Sequence, residues 1–111
     1  AIVVSNHGGR ILDSMPGAAR VLPEIVRAVG DEAAVLADGG VRSGIDVLKY
    51  LALGAEAVLV GRPLAAAVFG GGAHGVSLYF KKLKDELAQA MILTGCASVK
   101  EIGPEVIIRG I

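Results

Sequence analysis

Three short apolar runs alternate with longer stretches of helical periodicity along the chain. The runs occupy residues 1–4, 33–37 and 57–60, and none of them contains a polar or charged residue. Runs of this length and composition are typical of strands that are buried on both faces of a sheet. The pattern therefore predicts three buried strands.

Apolar residues recur at helical spacing after each predicted strand. The first helix is predicted around residues 21–29, with Pro23 in its first turn, where a missing N–H has no cost. The second is predicted over residues 43–54 and starts with a serine N-cap. The third is predicted from residue 75 to residue 94, after a break at the glycines 70–72.

The third predicted helix has an apolar face and a charged face, and we interpret the charged side chains as solvated. Its apolar face comprises Val76, Phe80, Leu83, Leu87 and Ala90. His74 is interpreted as a loop residue without a functional role. Residues 105–111 are predicted to form an arm that needs a partner surface.

The alternation of strands and helices predicts three βα units and a parallel sheet of the α/β class. Each strand is followed by a segment that contains glycine and arginine, which is a weak internal repeat. Because the carboxyl ends of parallel strands meet at one edge, these segments should lie together. The periodicity does not distinguish part of a closed barrel from part of an open, doubly wound sheet.

The segment behind the first strand, Ser5–Arg10, combines an imidazole, a guanidinium and two glycines. His7 can accept a proton and Arg10 can bind an anion, while the glycines let a ligand approach the backbone. The same residues could also form a turn that only reverses the chain. The position of this segment at the carboxyl end of a predicted strand favours a binding site over a simple turn.

The second and third strand ends are suited to a phosphate group. Glycine amides, the N-terminus of the helix after Arg42, and the Arg42 and Arg62 guanidinium groups can all bind an anion. The carboxylate of Asp38 would repel a phosphate and is better suited to the hydroxyl groups of a ribityl or ribose chain. Arg62 could instead form a surface ion pair, and Asp38 could cap a helix.

Composition excludes several classes of protein. The chain has 111 residues, of which 53% are hydrophobic and 20% charged, so it is not a disordered segment. Lys plus Arg and Asp plus Glu number 11 each, which gives no indication of binding to nucleic acid or to an anionic membrane. The single cysteine, Cys96, excludes an internal disulfide and favours a cytoplasmic location.

Three motifs together resemble a known family. Ser5–Arg10, followed by Leu12–Asp13, resembles the signature of the FMN-dependent α-hydroxy acid oxidase and dehydrogenase family. Asp38–Arg42 and Gly61–Pro63 resemble two further motifs of that family in the same order. The resemblance covers nearly all of the chain. Ile11 departs from the pattern, since the family usually has glutamine there.

The resemblance implies that residues 1–111 are the carboxyl-terminal part of a TIM (β/α)8 barrel, about strands 6 to 8 with their helices. Such a barrel typically needs about 250 residues. The chain also begins inside a predicted strand without Met, so we expect it to be a partial domain. We expect it to associate with the missing barrel half or with a second copy as a homo-oligomer.

The resemblance also implies an FMN-dependent enzyme that oxidises a small L-2-hydroxy acid to the 2-oxo acid, without a metal. His7 matches the family's catalytic base and Arg10 its carboxylate-binding residue. The family's aspartate that orients the histidine belongs to earlier strands, so we expect the isolated chain to be inactive. Residues that match the family's FMN contacts are Ser5, His7, Asp38, Gly39, Gly40, Val41, Arg42, Gly61 and Arg62.

Two alternatives remain open from the sequence. One is a stand-alone half-barrel that binds phosphate or flavin without catalysis. The other is a different phosphate-binding TIM-barrel enzyme, such as a member of the IMP dehydrogenase group. The pairing of His7 with Arg10 favours the hydroxy acid enzyme, because that substrate needs a base and a carboxylate-binding cation.

Overall fold

Strands and helices alternate in the computed structural model, which describes residues 1–107. The strands are β1, Ile2–Val4; β2, Val35–Ala37; and β3, Ala57–Val58. The helices are α1, Ala18–Val29; α2, Gly44–Ala52; and α3, Arg62–Thr94. Short 3-10 turns cover His7–Gly9, Val99–Glu101 and Pro104–Val106. The predicted order of three βα units is confirmed.

The three strands form one parallel sheet in the order β1-β2-β3. Val4 pairs with Ala37, and Ala37 pairs with Val58, so the strand ends lie side by side. Buried residues of β1 and β2 share one core with Leu22 of α1 and Tyr50 of α2. Both helices therefore cover the same face of the sheet, an arrangement found in a barrel and also within one half of a doubly wound sheet.

The other face of the sheet is open in the described chain, so these residues by themselves bury the strands on one face only. Val3 is 50% exposed and Leu59 is 40% exposed, whereas Val4 is buried. Successive side chains of a strand point to opposite faces, and only the face toward α1 and α2 is covered. Aliphatic composition alone did not reveal this asymmetry.

Helix α1 begins earlier than predicted. Gly17 is an extended N-cap residue, and the helix starts at Ala18. Pro23 therefore lies in the second turn, not in the first, and it removes the hydrogen bond that its amide would donate to the carbonyl of Ala19. The apolar stripe begins only at Val21, which is why periodicity placed the start too late.

Helix α2 starts with the predicted serine cap. The Ser43 hydroxyl accepts a hydrogen bond from the Asp46 amide at 3.2 Å, and the Asp46 carboxylate accepts one from the Ser43 amide at 3.1 Å. This reciprocal arrangement is a capping box. At the next residue, a Cβ added to Gly44 would lie 2.2 Å from the amide nitrogen of Leu87. The start of α2 is thus in backbone contact with α3.

Helix α3 starts at Arg62, before the glycines 70–72, and is interrupted inside that triplet. Gly72 has φ 55° and ψ −142°, so two helical segments meet there. His74 lies in the helix and not in a loop. Phe80 is 52% exposed, so its assignment to the packed face is wrong, whereas Leu83 is buried as predicted. Among residues 1–107, no helix combines the length and hydropathy needed to span a bilayer.

A second core lies between α2, α3 and the end of the described chain. Its buried members are Leu48, Ala52, Cys96 and Ile102. Val106 and Ile107 pack against this core, so the start of the predicted arm is folded onto the domain. Residues 108–111 of that arm lie outside the described residues.

Candidate functional site

A cavity of about 190 Å³ opens at the carboxyl ends of the three strands. All three strand ends contribute to its walls, because parallel strands finish at one edge of the sheet. The cavity brings together nine of the ten predicted site residues: His7, Arg10, Asp38, Gly39, Gly40, Val41, Arg42, Gly61 and Arg62. Gly8, Leu59 and Pro63 complete its lining.

Ser5, the tenth predicted residue, does not line the cavity and instead shapes the turn behind β1. Its hydroxyl accepts a hydrogen bond of 3.1 Å from the amide of His7. His7 has φ 54° and is followed by Gly8 and Gly9 with φ 64° and 70°. Left-handed backbone is strained for a histidine, at a cost on the order of 1 kcal/mol. The turn presents the His7 side chain at the exposed rim of the cavity.

The guanidinium of Arg62 reaches from the third strand end to the first. A Cβ added to Gly8 would lie 3.1 Å from Nη2 of Arg62, so the side chain rests against the Gly8 backbone. Any larger residue at position 8 would crowd this guanidinium and would also need a left-handed backbone. The glycine after His7 thus leaves room for the Arg62 guanidinium beside this turn.

The carboxylate of Asp38 carries an unpaired oxygen. Its Oδ1 is buried and has no hydrogen-bond partner among the described residues. A buried carboxylate oxygen without a donor costs on the order of 1–3 kcal/mol, so such atoms are usually paired in the functional state. A ligand hydroxyl would supply the missing donor. The atom fits a polyol chain such as ribityl.

Tyr50, on α2, anchors the turn that carries Asp38 and was not recognised from the sequence. Its side chain is 6% exposed, and its hydroxyl lies 2.8 Å from the Asp38 carbonyl and 2.7 Å from the Gly39 carbonyl. Burial, and then the negative charge of Asp38, raise the pKa of Tyr50. A phenol on an otherwise aliphatic helix face needs a polar partner, which was the available signal.

The backbone of Arg42 is fixed on both sides. Its amide donates to Oδ2 of Asp46 at 3.0 Å, and its carbonyl accepts from the Tyr79 hydroxyl at 3.0 Å. Burial alone would raise the pKa of Asp46, but hydrogen bonds from the Arg42 amide and from Ser43 lower it overall. The side chain of Arg42 is left free to line the cavity.

The start of α2 is not the anion donor that was expected. The amides of Arg42 and Ser43 donate to Asp46, and the amide of Gly44 donates to Oε2 of Glu86 at 2.8 Å. These N–H groups are satisfied by the protein's own carboxylates, whose charge also opposes a nearby phosphate. The expectation is therefore wrong for these amides, and the arginine side chains and glycine amides remain as donors.

A family model described as FMN-dependent dehydrogenase matches residues 1–109. The chain belongs to this family. Its relatives include L-lactate oxidase of Roseobacter sp. (strain GAI101), which is 48% identical over 106 residues, 96% of this chain and 29% of the relative. 2-Hydroxyacid oxidase 2 of Bos taurus is 50% identical over 106 residues, 96% of this chain and 30% of the relative.

Solved structures of the family match the fold as well. A structure of mandelate oxidase gives a TM-score of 0.86 at 54% identity, over 89% of this chain and 30% of that protein. A flavocytochrome b2 structure gives a TM-score of 0.90 at 42% identity, over 96% of this chain and 29% of that protein. The chain thus spans about three tenths of the length of these family members. The resemblance seen in the sequence is confirmed.

Proposed function

We propose that this chain is the carboxyl-terminal part of an FMN-dependent enzyme that oxidises a small L-2-hydroxy acid to the 2-oxo acid. In this proposal residues 1–111 are a partial domain that supplies strands 6 to 8, with their helices, to a (β/α)8 barrel. One observation carries the proposal. A single cavity is lined by an imidazole, a carboxylate with an unpaired oxygen and three guanidinium groups, drawn from three consecutive strand ends.

The second and third strand ends hold the ribityl-phosphate chain of FMN in this proposal. Asp38 accepts a hydrogen bond from a ribityl hydroxyl through its unpaired Oδ1. Arg42 and Arg62 bind the phosphate, for which a guanidinium fork offers two parallel hydrogen bonds. The glycines and Val41, which lie between these charged residues, let the cofactor approach the backbone closely. Ser5 holds the His7 turn, which faces the flavin ring in this proposal.

His7 and Arg10 act on the substrate. Arg10 binds the substrate carboxylate with its planar fork, which fixes both the charge and the orientation of the acid. Neutral His7 takes a proton from the α-hydroxyl group or the α-carbon. FMN, when bound, accepts the two electrons that leave the α-carbon.

The open parts of the structure support a larger assembly. The uncovered sheet face exposes Val3 and Leu59, and α3 exposes Phe69 at 93% of its surface. Apolar surface of this extent normally meets other protein. The remaining strands of the barrel are the partner that we propose, and a second copy of the protein can add to it.

A half-barrel that binds flavin or phosphate without catalysis is the second candidate. Such a module has no need for an imidazole and a third arginine at the rim of its cavity. The test uses the complete enzyme, meaning a polypeptide in which this chain is part of a closed barrel, after it has been loaded with FMN. Anaerobic addition of L-lactate or (S)-mandelate separates the two candidates: an enzyme bleaches the flavin absorbance and releases the 2-oxo acid, whereas a binding module leaves the spectrum unchanged.

A further inference from the structure

The turn formed by Asp38, Gly39 and Gly40 borders two adjoining cavities. The first is the candidate site described above. The second, of about 360 Å³, lies beside the start of α1, and Tyr50 lines it without lining the first. Both glycines line both cavities. Tyr50 therefore contacts the turn from the second cavity.

Two successive carbonyl groups of this turn point at one hydroxyl. The Tyr50 hydroxyl lies within hydrogen-bond distance of both the Asp38 and the Gly39 carbonyl, at 2.8 and 2.7 Å. It has one proton to donate, which the two acceptors share. Such convergence needs an unusual backbone, and Gly39 has φ 103°. A Cβ at Gly39 would also lie 3.4 Å from the hydroxyl oxygen.

The direction of these two carbonyls also fixes the direction of the N–H in the same peptide groups. In a trans peptide the N–H points opposite to the C=O, and the described chain has no cis bonds. Because the Asp38 and Gly39 carbonyls point toward Tyr50, the amides of Gly39 and Gly40 point away from it, toward the first cavity. Neither amide donates to an acceptor within residues 1–107. Adjacent N–H groups of this kind form a concave site for anionic oxygen.

We propose that Tyr50 is a positioning residue for the cofactor, which rests on the proposed function of the site. Its hydroxyl holds two carbonyls on the far side of the turn, and so presents two amide donors and the Asp38 carboxylate to the ribityl-phosphate chain. Tyr50 touches neither cofactor nor substrate. It acts through the backbone that it fixes.

The competing explanation is that Tyr50 only stabilises the core. Leu48 provides the matched control, because it lies on the same helix, is equally buried at 4% exposure, and belongs to the second core, away from the turn. A purely structural role predicts that flavin affinity follows stability in both variants. A positioning role predicts that Tyr50→Phe loses more FMN affinity than its loss of stability accounts for, whereas Leu48→Ala loses stability and keeps its FMN affinity.

The experiment measures FMN dissociation constants and thermal unfolding of the apo form for the complete enzyme and its variants. We expect Tyr50→Phe to weaken FMN binding about three- to tenfold, which corresponds to one hydrogen bond. In the background of Asp38→Asn, the same substitution should cost clearly less, because part of what Tyr50 positions has already been removed.

Each outcome bears on the proposal. Unchanged FMN affinity in Tyr50→Phe, losses that multiply fully in the double variant, or a Tyr50→Phe protein that does not fold would overturn it. Equal behaviour of Tyr50→Phe and Leu48→Ala would overturn it too. If the unsubstituted enzyme folds but binds no FMN, the proposed function itself fails and the role of Tyr50 falls with it.

Discussion

The carboxylate of Glu86 accepts a 2.8 Å hydrogen bond from the amide of Gly44, 42 residues earlier in the chain. The contact joins the second half of α3 to the first turn of α2. The other carboxylate oxygen of Glu86 accepts a hydrogen bond from Lys82 on the same helix. Glu86 therefore helps to fix the segment from Arg42 to Gly44, whose first residue lines the candidate site.

Close helix packing at Gly44 should make this position intolerant of any side chain. A Cβ there would lie 2.2 Å from the Leu87 amide nitrogen and 2.5 Å from the Leu83 carbonyl oxygen, both of which are backbone atoms. We expect Gly44→Ala to lower the free energy of unfolding of the complete enzyme by about 3 kcal/mol. Denaturant titration measures this change. Gly70→Ala is the control, because nothing lies near its added Cβ, and it should be neutral or stabilising by up to about 1 kcal/mol.

The Glu86 contact should also make stability depend on pH. The hydrogen bond with Lys82, and then the one from the Gly44 amide, lower the pKa of Glu86 below its ordinary value of 4.5. A carboxyl whose folded-state pKa is depressed stabilises the fold above the unfolded pKa, and this contribution is lost as the pH falls through the folded value. The unfolding midpoint of Glu86→Gln should thus lie below that of the unsubstituted enzyme at neutral pH.

The difference between the two midpoints should shrink below about pH 4. Asp85→Asn is a suitable control, since Asp85 pairs only with exposed Lys81 and accepts no backbone N–H in the described structure. A midpoint difference that stays constant between neutral and acidic pH would contradict the role assigned to Glu86.

Flavin binding and turnover should separate between Arg62 and His7. Arg62 is proposed to bind the phosphate, so Arg62→Ala should lower the affinity for FMN by tenfold or more, which is the scale of a lost charge-assisted hydrogen bond. The flavin content of the purified variant should fall as a result. His7→Gln should keep the yellow colour and reduce turnover by roughly 10²- to 10⁴-fold. Absorbance spectra and steady-state kinetics report the two effects. Equal loss of flavin from both variants would be inconsistent with the proposed roles.

Arg10 should be sensitive even to replacement by lysine. Lysine keeps the charge but cannot form the planar, bidentate contact with a carboxylate. Arg10→Lys should therefore raise KM for the 2-hydroxy acid and also lower kcat, because misplaced substrate reacts more slowly. The FMN content should stay normal. Unchanged kinetics would rule out Arg10 as the carboxylate-binding residue.

The isolated 111-residue chain should not exist as a stable monomer. Phe69, Ile92 and Leu93 are 93%, 79% and 80% exposed, and both outer strands of the sheet have free edges within the described structure. We expect sedimentation velocity to show dimers or larger species at micromolar concentration. A folded monomer with well-dispersed amide resonances would contradict this prediction and would favour the stand-alone binding module.

The order of strands and helices and the residues that line the cavity could be predicted from the sequence, because both depend on local signals. Aliphatic runs define strands, and parallel strands must end at one edge, so His7, Asp38 and Gly61 had to come together. No information from distant residues was needed for this step. The residue types at the strand ends then indicated which chemical groups the cavity could bind.

What the sequence did not reveal depends on contacts between distant segments. Tyr50 acts on a turn 12 residues away, and Glu86 satisfies an amide 42 residues away, and neither spacing belongs to a local pattern. Which face of the sheet α1 and α2 cover, and hence that Val3 is exposed while Val4 is buried, could not be predicted from aliphatic composition. Pro23 was misplaced because an alanine-rich first turn carries no apolar stripe.

The residues that line the candidate site all follow three strands that are neighbours both in sequence and in the sheet. Under the proposed function, the residues that hold the phosphate are therefore inherited as one block, together with His7 and Arg10. An engineer who exchanged this block between family members would therefore move the proposed phosphate-binding residues and the proposed base together.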